Sequence, residues 1–150
     1  DADPRHHDRA EDSAEAGMAA GASLKRAEVP QTLSGRLAAP TVVLREPSVT
    51  GMPTGATQEI RVLTACFGPG DRTAFNRHRT AVTVHVLEGH FTVEIEGRAP
   101  LVIAPGQAFV EPPELAHVGH NRSATQPLRV VVFYVSEPEA PFLDPVGGLG

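Results

Sequence analysis

Cys66 is the only cysteine in the sequence, so no internal disulfide forms, and one thiol does not report the redox compartment. Its setting, Ala65-Cys66-Phe67 at the end of an alternating stretch, predicts a small buried apolar side chain rather than a reactive thiol. Lys and Arg form no cluster, and the formal net charge is −5, so the chain has nothing with which to track phosphates and nucleic acid is excluded as a partner. No apolar run approaches the roughly 20 residues that a membrane-spanning helix needs, so no membrane partner is expected. Also missing are a Gly-x-Ser-x-Gly elbow, a phosphate-binding P-loop and a Gly-x-Gly-x-x-Gly turn after a strand. Ser123 and Thr125 lie near His117 in sequence, but no spacing supports a hydrolytic triad.

What is abundant is turn chemistry. Fourteen glycines and fourteen prolines in 150 residues suit many short strands joined by tight turns within one domain. Residues 1–28 hold seven acids against four bases, with little but Ala and Gly between them and no aromatic residue. Such a segment buries too little apolar surface to offset its ordering entropy, which predicts a disordered acidic arm with His6-His7 solvated. The first residue is Asp1, so processing or trimming upstream is expected. Removal of a signal peptide is one route, and the compartment stays open between cytoplasm and periplasm or secretion.

Residues 29–57 are punctuated by Pro and Gly, with an entry strand expected at Thr41–Arg45. Gln58–Phe67 alternates with both faces at least partly covered, and Gly68-Pro69-Gly70-Asp71 turns the chain. In Ala81–Glu88, Val82, Val84 and Val86 face one way, and Thr83, His85 and Leu87 the other. His90–Glu96 puts Phe91, Val93 and Ile95 inward. Short strands follow at Pro100–Ala104 and Gln107–Glu111, the latter stopped by Pro112-Pro113, which deny the ladder its donors. Pro127–Val135 carries Leu128, Val130, Val132 and Tyr134 on one face. Strands every 8–12 residues with turn signals between them indicate an all-β barrel or sandwich. The expected boundaries are an arm at 1–28, a barrel at 29–142 and an irregular tail at 143–150.

Two spaced motifs flank these strands. The first is Gly70, five residues, Asn76-Arg77-His78, three residues, Val82, six residues, Gly89. The second is Gly106, five residues, Pro112, then His117, three residues, Asn121. These resemble the two motifs of the cupin superfamily, Gly-x5-His-x-His-x3-Glu-x6-Gly and Gly-x5-Pro-x-Gly-x2-His-x3-Asn. The stretches Val86–Gly89, Phe109–Pro113 and Asn121–Thr125 are similar to a subgroup of small stand-alone bacterial cupins, whose members often lack the motif-one glutamate. The resemblance covers roughly residues 58–142 and implies a single double-stranded β-helix (jelly-roll) barrel that pairs as a homodimer.

It also implies a divalent metal, Fe, Mn, Ni or Zn, held inside the barrel. His78 and His117 match ligand positions. Asn76 stands where the first histidine belongs and offers only a neutral carbonyl oxygen, while Val82 stands in place of the glutamate and offers nothing. His85 replaces the missing histidine only if a β-bulge reverses its face, because it lies three residues from Val82; otherwise it is a structural histidine or an oligomer contact. Glu111 precedes Pro112, where an apolar inward residue is usual. It is a substitute ligand, a catalytic general base with a raised pKa, or a solvated carboxylate at the barrel mouth. His90 and His120 fall on outward parity, and Asn121 is expected to order its loop through backbone hydrogen bonds.

Together these features imply a cupin barrel binding a metal and a small organic ligand in a mostly apolar cavity, with dioxygenase chemistry as the named reaction. A non-catalytic small-molecule binder that has lost tight metal binding is the alternative, favoured by Asn76 and Val82.

Overall fold

The computed structural model describes residues 35–147, so the arm expected at 1–28 lies outside the described residues. Among the described residues there are nine strands and no helix: β1 (Glu59–Phe67), β2 (Asn76–Arg77), β3 (Val82–Glu88), β4 (Phe91–Ile95), β5 (Leu101–Ile103), β6 (Ala108–Glu111), β7 (His117–His120), β8 (Leu128–Ser136) and β9 (Asp144–Pro145). They pair antiparallel into two sheets, ordered β1-β8-β3-β6 and β5-β4-β7-β2-β9. This is the expected all-β jelly-roll architecture, and every long strand falls where period-2 alternation predicts it.

The alternation also sets the core. Val82, Val84 and Val86 of β3 and Leu128, Val130, Val132 and Tyr134 of β8 face Phe91, Val93 and Ile95 of β4 and Ile103 of β5. Each side chain so buried contributes about 1.5–3 kcal/mol to folding. The hairpin from β3 to β4 depends on Gly89, which has φ +78; a Cβ there would come within 2.3 Å of the Pro127 carbonyl oxygen.

Four expectations need correction. Thr41–Arg45 forms no strand, because the segment runs over the outer face of the first sheet without entering its ladder. The tail is not wholly irregular: Asp144–Pro145 pairs with β2 in the registers Asn76 to Pro145 and Arg77 to Asp144. Cys66 is exposed rather than buried, since it takes the outward parity of an edge strand. The outward face of β1 is likewise uncovered, with Ile60 73% and Val62 61% exposed.

Candidate metal centre

The two sheets leave a cavity of about 230 Å³ between them. Its walls are mostly apolar, with Leu63, Phe67, Val84, Phe91 and Val132 prominent, and its polar residues include Asn76, His78, Glu111 and His117. These four side chains are only 2–4% exposed.

Strand pairing brings them together. Asn76 on β2 lies directly across from His117 on β7, and His78 follows Asn76 by two residues, the spacing that returns a side chain to the same face. From the other sheet, Glu111 on β6 lies directly across from Val82 on β3. Glu111 Oε2 stands 3.0 Å from His78 Nε2 and 2.8 Å from His117 Nε2. Among the described residues, these are the side chains grouped closely enough to hold a metal ion.

The outer nitrogens fix the tautomers. His78 Nδ1 lies 2.7 Å from the Phe142 carbonyl and His117 Nδ1 3.2 Å from the Leu115 carbonyl. A carbonyl only accepts, so each Nδ1 carries the proton and donates it, and in the neutral ring each Nε2 keeps its lone pair. Three lone-pair atoms then converge at a buried point. Such a cluster needs a cation, which can be a proton or a metal ion. Metal bonds of about 2.0–2.1 Å place neighbouring ligand atoms about 2.9 Å apart at octahedral angles and about 3.4 Å apart at tetrahedral ones. The observed 2.8 and 3.0 Å lie near the octahedral spacing, so the three donors are close enough to hold a metal.

In the absence of metal, a proton on His117 takes the place of the cation. Burial raises the Glu111 carboxyl pKa, but hydrogen bonds from His117 and His78 and their charge outweigh that and lower it to about 2. Burial lowers the His117 pKa, yet hydrogen bonding to Glu111, the carboxylate charge and the Leu115 carbonyl leave it raised above the ordinary value. Glu111 is therefore a carboxylate at neutral pH with a lowered rather than a raised pKa, and it is buried in the cluster rather than solvated at the mouth.

His85 does not join the group. The register shift in β3 lies between Val86 and Glu88, beyond His85, so no bulge reverses its face. It lines a groove on the outer side of the first sheet with Val43, Met52 and Phe133. Asn76 does line the cavity, but its Nδ2 is occupied: it donates to the Ala74 carbonyl at 2.6 Å. His120 lies 3.5 Å from Glu94, which also pairs with Arg122. Asn121 orders its loop as expected, its Nδ2 donating to the carbonyls of Phe67, Gly68 and Gln126.

The roof of the cavity was missed in the sequence. Phe142 and Leu143 line it, and the Phe142 ring meets the His78 ring edge-on at 4.8 Å. Three ties hold this strap: the His78 bond to the Phe142 carbonyl, a two-point pairing of Arg79 with Asp144, and Val146 N–H donating to the Phe75 carbonyl. An aromatic flanked by Pro141 in an otherwise turn-rich tail was the one available signal.

The family model for the cupin domain matches residues 63–134. Among solved structures, a cupin-like protein of Thermotoga maritima is 20% identical, with 61% of this chain and 67% of that one covered and a TM-score of 0.51. The DMSP lyase DddQ of Ruegeria pomeroyi is 16% identical, with 70% and 61% covered and a TM-score of 0.53. A conserved protein with a double-stranded β-helix domain from Klebsiella pneumoniae is 19% identical, with 69% and 90% covered and a TM-score of 0.51. The chain thus spans less than two thirds of the lyase. No curated protein matches it significantly.

Proposed function

Since the chain belongs to the cupin superfamily, we propose that His78, His117 and Glu111 hold a divalent metal beside a small organic ligand, as the centre of a metal-dependent dioxygenase. The single observation carrying this reading is the convergence of His78 Nε2 and His117 Nε2 on Glu111 Oε2 at 3.0 and 2.8 Å, with both outer nitrogens already satisfied. Two histidines and one carboxylate with open positions is the donor set of non-haem Fe(II) oxygenases, and Mn, Ni or Zn suits the same atoms. A bound metal of this kind would supply Lewis-acid polarisation of a chelated oxygen or activation of dioxygen.

The chain's own residues do the rest. The Phe142 and Leu115 carbonyls orient the imidazoles, in the way outer partners raise ligand basicity. Val82, beside Glu111 on the next strand, keeps that side of the carboxylate dry, and Phe142 roofs the cluster. The apolar walls take the body of the ligand. The lyase activity of the Ruegeria neighbour is a different use of a related barrel; at 16% identity the likeness supports the fold rather than the reaction.

A metal-free binding protein is the second reading. It is favoured by one observation: His117 Nε2 lies at hydrogen-bond distance, 2.8 Å, from Glu111 Oε2, so a proton on that nitrogen holds the cluster together without a metal. X-ray absorption at the metal edge of Fe(II)- or Ni(II)-loaded protein tests the first reading. Scattering from two imidazoles with oxygen neighbours is expected. The spectrum of a hydrated ion lacking imidazole would overturn it.

A further inference from the structure

Asn76 has a buried acceptor left over. Its Nδ2 donates to the Ala74 carbonyl at 2.6 Å and lies 3.5 Å from Thr73 Oγ1. Because a carbonyl cannot donate, the amide cannot be turned over without placing two acceptors together, so Oδ1 is fixed as the free end. That oxygen has no hydrogen-bond partner among the described residues, on a side chain 2% exposed that lines the cavity. A buried carbonyl oxygen without a donor is costly, and such groups in native proteins call for a reason.

The rest of the cavity narrows the reason. Its lining contains no Lys or Arg, so apart from the His/Glu cluster nothing would neutralise an anionic group. Its volume, about 230 Å³, lies below the roughly 300–1,000 Å³ of pockets for drug-sized molecules, which limits the occupant to about one ring. Leu63, Phe67, Val84, Phe91 and Val132 offer it only apolar contact.

We propose that Asn76 Oδ1 orients the ligand, and that the cavity selects a small, uncharged, largely apolar molecule presenting a hydroxyl or N–H donor to that oxygen. This deepens the reading of the cavity as a ligand site, and it assigns Asn76 to the ligand rather than to the metal. A site built to hydrogen-bond a hydroxyl rejects the analogue that lacks it, because its own polar group is then left unpaired. The replacement of an imidazole by an amide at this position thereby exchanges a metal ligand for a specificity determinant.

The experiment compares phenol with toluene and anisole, which keep the ring but lose the donor. Binding to the full chain is followed by calorimetry or by amide NMR shifts, in metal-loaded and chelator-stripped protein. Phenol is expected to bind about ten-fold more tightly than either analogue in both forms. Asn76→Leu should erase that preference while retaining toluene binding, which also reports that the barrel is folded; Asn76→Ala serves if the leucine variant does not fold. Equal binding of the three probes by the native protein, no saturable phenol binding, or a preference that survives both variants would overturn the proposal. So would a preference present only with metal, which would place the phenol oxygen on the metal rather than on Asn76. Metal uptake without discrimination sinks this inference alone, and discrimination without metal uptake sinks the oxygenase reading alone.

Discussion

Glu111 lies directly across the β3–β6 ladder from Val82, so the carboxylate that the first motif lacks is supplied from the neighbouring strand. Cross-strand partners have Cβ atoms about 4.5–5.5 Å apart, close enough for one to stand in for the other at a shared site. The exchange should be reversible. Glu111→Val should weaken metal binding by at least about a hundred-fold, since even outer partners of ligands are worth 10–100-fold. The double variant Val82→Glu/Glu111→Val should recover much of the loss, as read by calorimetric titration with Ni(II) or Zn(II).

The pH dependence of metal uptake has a fixed sign. Metal binds the deprotonated imidazole, so a proton on His117 competes with it. Hydrogen bonding and charge from Glu111 outweigh burial and raise the His117 pKa above the ordinary 6.5. Affinity should therefore be highest above that raised pKa and begin to fall at a higher pH than for an ordinary histidine. Glu111, lowered to about 2, stays ionised throughout that range. Titrations across pH 5 to 9 check this, and a loss beginning only well below the ordinary imidazole range would contradict it.

The strap over the cavity should loosen at its charged clamp. The hydrogen bond from Arg79 lowers the Asp144 pKa below 3.8 against a smaller desolvation effect. A depressed carboxyl contributes stability above its unfolded pKa and loses it as pH falls through the folded value. The clamp is therefore intact at neutral pH and released in acid. Arg79→Ala should reproduce that release at neutral pH, seen as faster amide exchange at Val146, whose N–H donates to the Phe75 carbonyl, with exchange in β3 and β8 unchanged.

Glu114 carries a backbone strain that can be relieved. It has φ 65, and it occupies the place where the second motif has glycine. The left-handed conformation costs an ordinary residue about 1–2 kcal/mol, against about 0.5–1 kcal/mol for the extra freedom of unfolded glycine. Glu114→Gly should thus stabilise the fold by about 0.5–1 kcal/mol in urea unfolding. Its N–H, which donates to the His78 carbonyl, is retained.

Much of this was legible in the sequence, for physical reasons. The inward sets of β3, β4 and β8 were visible because alternation and burial are the same fact seen twice. His85 was correctly on the outward parity, and only the position of the bulge, past Val86, could decide its face. The short strands β2, β7 and β9 carried too few residues for alternation to register. Cys66 was misjudged because an apolar-looking strand face does not reveal that the strand lies at a sheet edge. The role of Glu111 was ambiguous because it depends on cross-strand register with β3, which no local pattern encodes. Neither the roof of Phe142 nor the idle oxygen of Asn76 was visible, since both are consequences of tertiary packing.

Metal content by mass spectrometry, on protein purified without chelators beside a His117→Ala control, tests the central claim most directly. Near-stoichiometric divalent metal in the native protein, lost in the control, is the predicted result. Metal far below stoichiometry in both, even after reconstitution, would contradict a metal centre at His78, Glu111 and His117.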